Sequence, residues 1–315
     1  MAAHLLAPAG FLVGAVAARR MNEPPKVRPP VPVVCIGNPT VGGSGKTPIA
    51  IAVAQHLLKA GHQPTFLTRG YGGTLSGPIA VAPQHLAREA GDEPLLLARH
   101  APVVVAKDRA AGAELAATLG NVIVIDDGFQ NPAVAKDFSA LVIDGTVGLG
   151  NGAVTPAGPL RAPLAAHLPH ASALIVVGGT GTPAIAIDPP CPVYQVTLEP
   201  HTNRDLKGQN ILAFAGIGRP QKVFEGLTSL GANLSETIPL GDHAPYGEAL
   251  ASRLLTQADA EGLLPVTTAK DMVRLQSAGP AAQRLAARTI TVDVTAHLPD
   301  NLVAGILSAV TRRNA

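Results

Sequence analysis

Apolar residues along this chain fall into short unbroken runs separated by stretches with helical spacing. The run VPVVCIG at Val31–Gly37 is the first, followed by Thr65–Thr68, Val103–Ala106, Val122–Asp126, Ala140–Asp144 and Leu174–Val177. None alternates with polar residues, so each predicts a parallel strand covered on both faces. Between the first two runs, Pro48–Ala60 predicts a helix: Pro48 suits a first turn, where its missing N–H has no partner to lose, and Gly61 suits the stop. The pattern restarts after the polar stretch HTNRDLKGQN at His201–Asn210. There, Ile211–Ala215, Leu264–Thr267 and Thr289–Val294 predict strands, and Gln221–Leu230, Glu248–Glu261 and Leu302–Arg312 predict helices. The fold class is therefore α/β: a mostly parallel sheet with helices on both faces, plus a smaller second α/β lobe.

The apolar segment Leu5–Ala18, closed by Arg19 and Arg20, stands apart. As a helix it is roughly 21 Å long at about 1.5 Å per residue, short of a hydrocarbon core about 30 Å thick. A secretory signal is disfavoured, because the positive charges follow the apolar stretch. A buried helix and a segment lying in a membrane interface both remain open.

Composition narrows the field. With 47% hydrophobic and 15% charged residues, disorder is excluded. A net charge of +2, from 24 basic and 22 acidic residues, leaves no electrostatic footprint for nucleic acid. Two cysteines, Cys35 and Cys191, cannot build a disulfide framework, and the histidines lack zinc-site spacing, so the chain reads as a reduced, cytosolic-side protein.

The chemistry begins at TVGGSGKT: Thr40, Val41, Gly42, Gly43, Ser44, Gly45, Lys46 and Thr47. Strand, glycine-rich turn, Gly-Lys-Thr and helix form the context of a nucleotide phosphate loop, although Thr40 stands where the pattern has its first glycine. In that reading the backbone N–H groups cradle phosphate oxygens, Lys46 meets the β- and γ-phosphates and the Thr47 hydroxyl ligates Mg2+. VIVIDDGFQ at Val122–Gln130 is an apolar strand ending in Asp126 and Asp127, where a carboxylate would reach the Mg2+ shell. TRGYGG at Thr68–Gly73 offers Arg69 in a flexible loop, for phosphate or simply as a surface turn. GDEP at Gly91–Pro94 is either a helix start or the source of a general base, and His243 in GDHAPY is either a proton carrier or a polar loop residue.

In this order the segments resemble the tetraacyldisaccharide 4'-kinases of lipid A biosynthesis. The resemblance rests on GNPTVGGSGKTP, TRGYGG, GDEP and IDDGFQ, with PAGPLR at Pro156–Arg161, FAGIGRP at Phe214–Pro220, GDH at Gly241–His243 and TAKD at Thr268–Asp271. It spans nearly the whole chain, and Thr40 is itself a mark of that family. The resemblance implies a P-loop NTPase-like fold, ATP and Mg2+ as cofactors, and transfer of the γ-phosphoryl group to the 4'-hydroxyl of a tetraacyldisaccharide 1-phosphate, giving lipid IVA. It assigns Asp92 as the base and His243 as its partner, with Asp126 and Asp127 in the metal and phosphate network. It gives Leu5–Ala18 a purpose, docking a monomer at the cytoplasmic face of the bacterial inner membrane. Two lobes are implied, 1–198 and 199–315, joined by a two-stranded linker near 194–198 and 289–294, with the last helix packing back on the first lobe.

Two positions depart from the family. Ala162 replaces a glutamate implicated in the metal site, which leaves Arg161 to meet phosphate, and Ala269 stands where Glu is frequent. Two rival readings are a P-loop GTPase switch and a kinase of a small soluble metabolite. The first lacks the guanine-reading spacing, since Lys270 and Asp271 are adjacent; the second leaves the apolar N-terminal segment without work.

Overall fold

The computed structural model describes residues 2–179 and 189–314. Twelve strands among them form one sheet: β1 (Val33–Gly37), β2 (Pro64–Thr68), β3 (Ile79–Ala80), β4 (Val103–Val105), β5 (Val122–Asp126), β6 (Phe138–Asp144), β7 (Ala173–Val177), β8 (Val193–Thr202), β9 (Asn210–Ala215), β10 (Asn233–Pro239), β11 (Leu264–Thr268) and β12 (Ile290–His297). The helices are α1 (Ala2–Met21), α2 (Lys46–Lys59), α3 (Ala87–Ala90), α4 (Asp92–Leu97), α5 (Arg109–Leu119), α6 (Leu164–His167), α7 (Pro220–Ser229), α8 (Glu248–Glu261), α9 (Ala269–Gln276), α10 (Pro280–Arg288) and α11 (Asp300–Asn314).

The strand order is β10-β9-β11-β12-β8-β7-β6-β1-β5-β2-β4-β3. All neighbours are parallel except β3 with β4 and β8 with β12. Every residue of β1, β2, β4, β5, β6 and β7 is buried, which is why these strands carry no polar alternation. Alternate residues face opposite cores. Val34, Ile36, Val124 and Val142 join α2 and α11 on one face, and Val33, Cys35, Ile123 and Ile143 join α5 and α6 on the other.

β8 ties the sheet together. Val193–Val196 pairs in parallel with β7, and Thr197–Thr202 pairs antiparallel with β12. Beyond that ribbon, α8, α9 and α10 cover one face of β9 and β11, and α7 packs over the other. Helix α11 returns from β12 to the opposite half, where Leu302, Ile306, Ala309 and Val310 are buried in the same core as β1 and β6.

Helix α1 lies on the segment Val154–Pro163. A Cβ at Gly10 would fall 2.6 Å from the Val154 carbonyl, where only a bare backbone fits, and one at Gly14 would press on the Val154 side chain at 3.2 Å. The outer side stays apolar and open, with Leu5 83%, Phe11 76% and Val16 69% exposed. No described helix is long and apolar enough to cross a membrane.

Candidate active site

Parallel register brings the site's first elements together. Ile36 at the end of β1 pairs with Asp126 at the end of β5, so the glycine loop and the two aspartates leave the sheet side by side. Gly45 turns the loop into α2 with φ of 85°, a left-handed conformation that favours glycine. The first turn of α2 has no side-chain cap and no acidic residue, which leaves its N–H donors for an anion. No atom lies within 4 Å of a Cβ built at Gly42 or Gly43, so the loop is open on that side. Its shape is held from within: Asn38 Nδ2 donates to the Thr40 carbonyl at 2.7 Å and the Gly42 carbonyl at 3.3 Å, and the Val41 N–H donates to Pro159. Ser44 is buried, and its hydroxyl has no partner.

The Thr47 hydroxyl donates to Asp126 Oδ2 at 3.0 Å, while Asp126 Oδ1 is buried without a partner. Burial, reinforced by the Glu93 charge, pushes the Asp126 carboxyl up to about 7. Asp127 has the opposite balance. Burial works to raise it, but Lys46 at 3.9 Å and a bidentate Arg161 at 2.8 and 3.2 Å hold it below the usual range. Arg161 thus grips Asp127, and its Nε also donates to the Thr40 carbonyl. Arg69 is exposed just beyond β2. Ala162 is fully buried in the apolar cluster that includes Leu164, Leu168 and Leu174.

A second cluster forms where the two halves of the sheet face each other. Asp92 opens α4, and its Oδ1 accepts the Glu93 N–H at 2.9 Å, as a residue at a helix start can. Its Oδ2 lies 2.9 Å from His243 Nδ1 and 3.4 Å from Arg274 Nε. Burial works to raise the Asp92 carboxyl, but the His243 hydrogen bond and the Lys270 charge outweigh it and keep the group ionised. Lys270 reaches Glu93 Oε1 at 3.2 Å and His243 Nε2 at 3.3 Å. Beneath His243, the fully buried Asp271 accepts from the Gly216 N–H, the Tyr246 hydroxyl, the Thr268 hydroxyl and Arg274. Asp271, with the Tyr246 hydroxyl on it, is the buried anchor of that loop, and burial first, then the Asp271 charge, raises the Tyr246 phenol far above its ordinary value.

Only two non-glycine residues among those described have left-handed φ, Asp127 and His243, both at 57°. Each is fastened on several sides, which is what such strain requires. Arg109 Nη2 lies 3.4 Å from the Asp127 carbonyl, and the His243 N–H donates to Gly216 at 3.1 Å. Arg109 is nearly fully buried and its guanidinium is lowered to about 10, by burial before any other cause. Sequence reasoning passed over Arg109 and Arg274, and it met Glu93 only as the second acid of GDEP. The one available signal was Arg274, which follows the Asp271 of TAKD by three residues and so lies on the same face of α9.

A glycine loop at a helix start, a Thr–Asp pair beneath it, and an ionised carboxylate–imidazole pair across the cleft define a phosphoryl-transfer enzyme of the P-loop class. The family model described as Tetraacyldisaccharide-1-P 4'-kinase matches residues 2–311, and the chain belongs to that family. A tetraacyldisaccharide 4'-kinase from Methylobacterium nodulans is 51% identical over 286 residues, covering 88% of this chain and 85% of the relative. Another, from Methylobacterium sp. strain 4-46, is 48% identical over 323 residues and covers 99% and 95%. The fold matches the crystal structure of LpxK from Aquifex aeolicus in complex with ATP, with a TM-score of 0.74 at 24% identity, covering 98% of this chain and all of that one.

Proposed function

We propose that this chain transfers the γ-phosphoryl group of ATP to the 4'-hydroxyl of a tetraacyldisaccharide 1-phosphate, giving lipid IVA in lipid A biosynthesis. The observation that carries the reading is the meeting of Asp92 with His243 across 151 positions of sequence, beside a phosphate loop whose donors are unspent. Phosphoryl transfer needs little covalent help, so alignment, charge neutralisation and one proton acceptor suffice. Lys46 and the first-turn N–H groups of α2 hold the β- and γ-phosphates. Asp127, fixed by Arg161, keeps Lys46 in place from the far side. Asp92 takes the proton of the 4'-hydroxyl as its oxygen bonds to phosphorus. A carboxylate held in its ionised form is a weak base, which suits a loose transition state in which the proton leaves late.

The residues present fit Mg2+. Asp126 Oδ1 is a buried oxygen without a partner, and the Thr47 hydroxyl sits on the same carboxylate. One carboxylate, one hydroxyl, phosphate oxygens and water are a usual Mg2+ shell, so Ala162 does not leave the site short. When bound there, Mg2+ neutralises charge on the transferring phosphates.

The exposed apolar side of α1, followed by Arg19 and Arg20, supports docking on a membrane surface at the cytoplasmic face of the inner membrane, where the acylated substrate resides. The same reading divides the monomer at the β8–β12 ribbon into lobes of residues 1–198 and 199–315. Labelled phosphate from ATP is expected on a purified tetraacyldisaccharide 1-phosphate in mixed micelles. Absence of transfer with correctly folded protein would overturn the assignment.

A further inference from the structure

His243 is held through both ring nitrogens, and its partners are of different kinds. Nδ1 lies 2.9 Å from Asp92 Oδ2, and an ionised carboxylate only accepts. Nε2 lies 3.3 Å from Lys270 Nζ, and an ammonium only donates. One arrangement satisfies both: Nδ1 carries the hydrogen and Nε2 accepts. The other groups facing the ring are Asp242 Oδ1, 3.8 Å from Nε2, and the Tyr71 ring, with centroids 5.2 Å apart. Lys270 is itself steered by Glu93 Oε1 at 3.2 Å, and Arg274 lies against Asp92 at 3.4 Å.

We propose that Lys270 is a positioning residue that fixes the tautomer of His243 and thereby places the proton-accepting lone pair of the pair on Asp92. With Nε2 occupied by the ammonium and Nδ1 already bearing hydrogen, the imidazole has no free lone pair. Asp92 Oδ1 accepts only the Glu93 N–H and keeps a second one. In the transfer step the 4'-hydroxyl O–H bond breaks and its proton passes to Asp92. The oxygen bonds to the γ-phosphorus as the bond to the ADP oxygen breaks. His243 donates to Asp92 throughout and takes no proton. Without Lys270, Nε2 becomes the site nearest to Asp242 and to solvent, and the ring is free to exchange tautomers. This rests on the assignment of Asp92 and His243 as the acid–base pair.

The test uses the full-length protein with 15N-labelled histidine in detergent micelles, with the His243 ring signals assigned by their loss in His243→Gln. Long-range 1H–15N correlation is expected to show Nδ1 protonated and Nε2 bare in the wild type. Lys270→Met should mix the tautomers and lower kcat at least about tenfold, with KM for ATP within about twofold, because nothing in the phosphate loop has changed. Lys270→Arg, which keeps a cationic donor, should restore the wild-type ring spectrum and most of kcat. A wild-type ring protonated on Nε2, or an unchanged ring spectrum in Lys270→Met, would overturn the proposal. Failure of the underlying pair has a different signature: an unchanged kcat in Asp92→Asn, whatever the tautomer.

Discussion

The phosphate end and the proton end of the site are built in opposite ways. At the phosphate end, Asp126 and Asp127 sit where β5 stops, and the loop that leads to Lys46 and Thr47 leaves the end of β1 beside them, at a spacing that the sheet's hydrogen bonds set. At the proton end, Asp92 comes from the first half of the sheet, while His243, Lys270 and Arg274 come from the second. Sheet register cannot place these last four against each other. They depend on a buried polar network around Asp271, and on contacts across the cleft such as Lys270 to Glu93 and the Ala87 N–H to the Ser277 hydroxyl. A site part carried by strand ends is robust to changes elsewhere, whereas one carried by a network fails when any member is lost.

That contrast can be broken in order of effect. On the proposed role of Lys46 at phosphate, Lys46→Ala should abolish detectable transfer while the circular dichroism and melting profile stay close to wild type. Retained turnover would remove the loop from the reaction. Asp92→Ala should lower kcat by about 10²- to 10⁴-fold, the usual range for a lost general base, with ATP affinity measured by calorimetry changed far less.

Asp271→Ala is expected to act on structure first. It takes the buried acceptor from the Gly216 N–H, the Tyr246 and Thr268 hydroxyls and one of the two carboxylates on Arg274, at a cost of about 3 to 5 kcal/mol in denaturant unfolding, and kcat falls as His243 loses its seat. The corresponding loss at the phosphate end, Arg161→Ala, removes a pairing in which both side chains are partly exposed and should destabilise by only about 1 kcal/mol. If the two variants cost the same in urea, the distinction between register and network is wrong.

A separate effect concerns pH. His167 is fully buried, with Nδ1 3.0 Å from the Pro163 carbonyl and Nε2 2.9 Å from Gln130, and burial lowers its pKa to about 4. An unfolded histidine titrates near 6.5, so between those values the unfolded chain binds the extra proton. Stability from this group is complete above about pH 6.5 and declines as pH falls towards 4, by up to about 3 kcal/mol. His167→Gln should flatten that part of the stability profile. Because Gln130 also donates to the Asn38 carbonyl, KM for ATP is expected to rise in the same variant.

Most of the sheet was legible in sequence because its strands are buried on both faces and therefore unbroken in apolar character. Strand β10 was not, since NLSETIP offers only Leu234 and Ile238 among polar residues, and an edge strand needs no more. Helix α5 also escaped. Its sequence RAAGAELAATL is mostly Ala with few large apolar residues to mark a face, and its packing depends on close approach, with a Gly112 Cβ position 2.5 Å from Ala106 and 2.8 Å from Leu67. The residues proposed for phosphate were singled out from local pattern, because TVGGSGKT carries its own structural context and lends weight to VIVIDD, which alone is an ordinary strand end. Those of the proton end were not. GDEP and GDH each have an ordinary reading as a helix start or a polar loop, and Asp92 does open a helix. Family resemblance singled out both residues. No local pattern records that α4 and α9 touch, and that contact is what brings Lys270 and Arg274 to them.

Helix α11 has a consequence for how this protein is made. The core around β1 and α2 is closed by Leu302, Ile306, Ala309 and Val310, which the ribosome adds roughly 250 residues after the phosphate loop. At about 5 to 20 residues per second, that is a delay of roughly 12 to 50 s during which the nascent phosphate-loop half has an apolar face uncovered. The phosphate-loop half thus completes its core only after α11 has been made, and the interval is one in which a chaperone has something to hold.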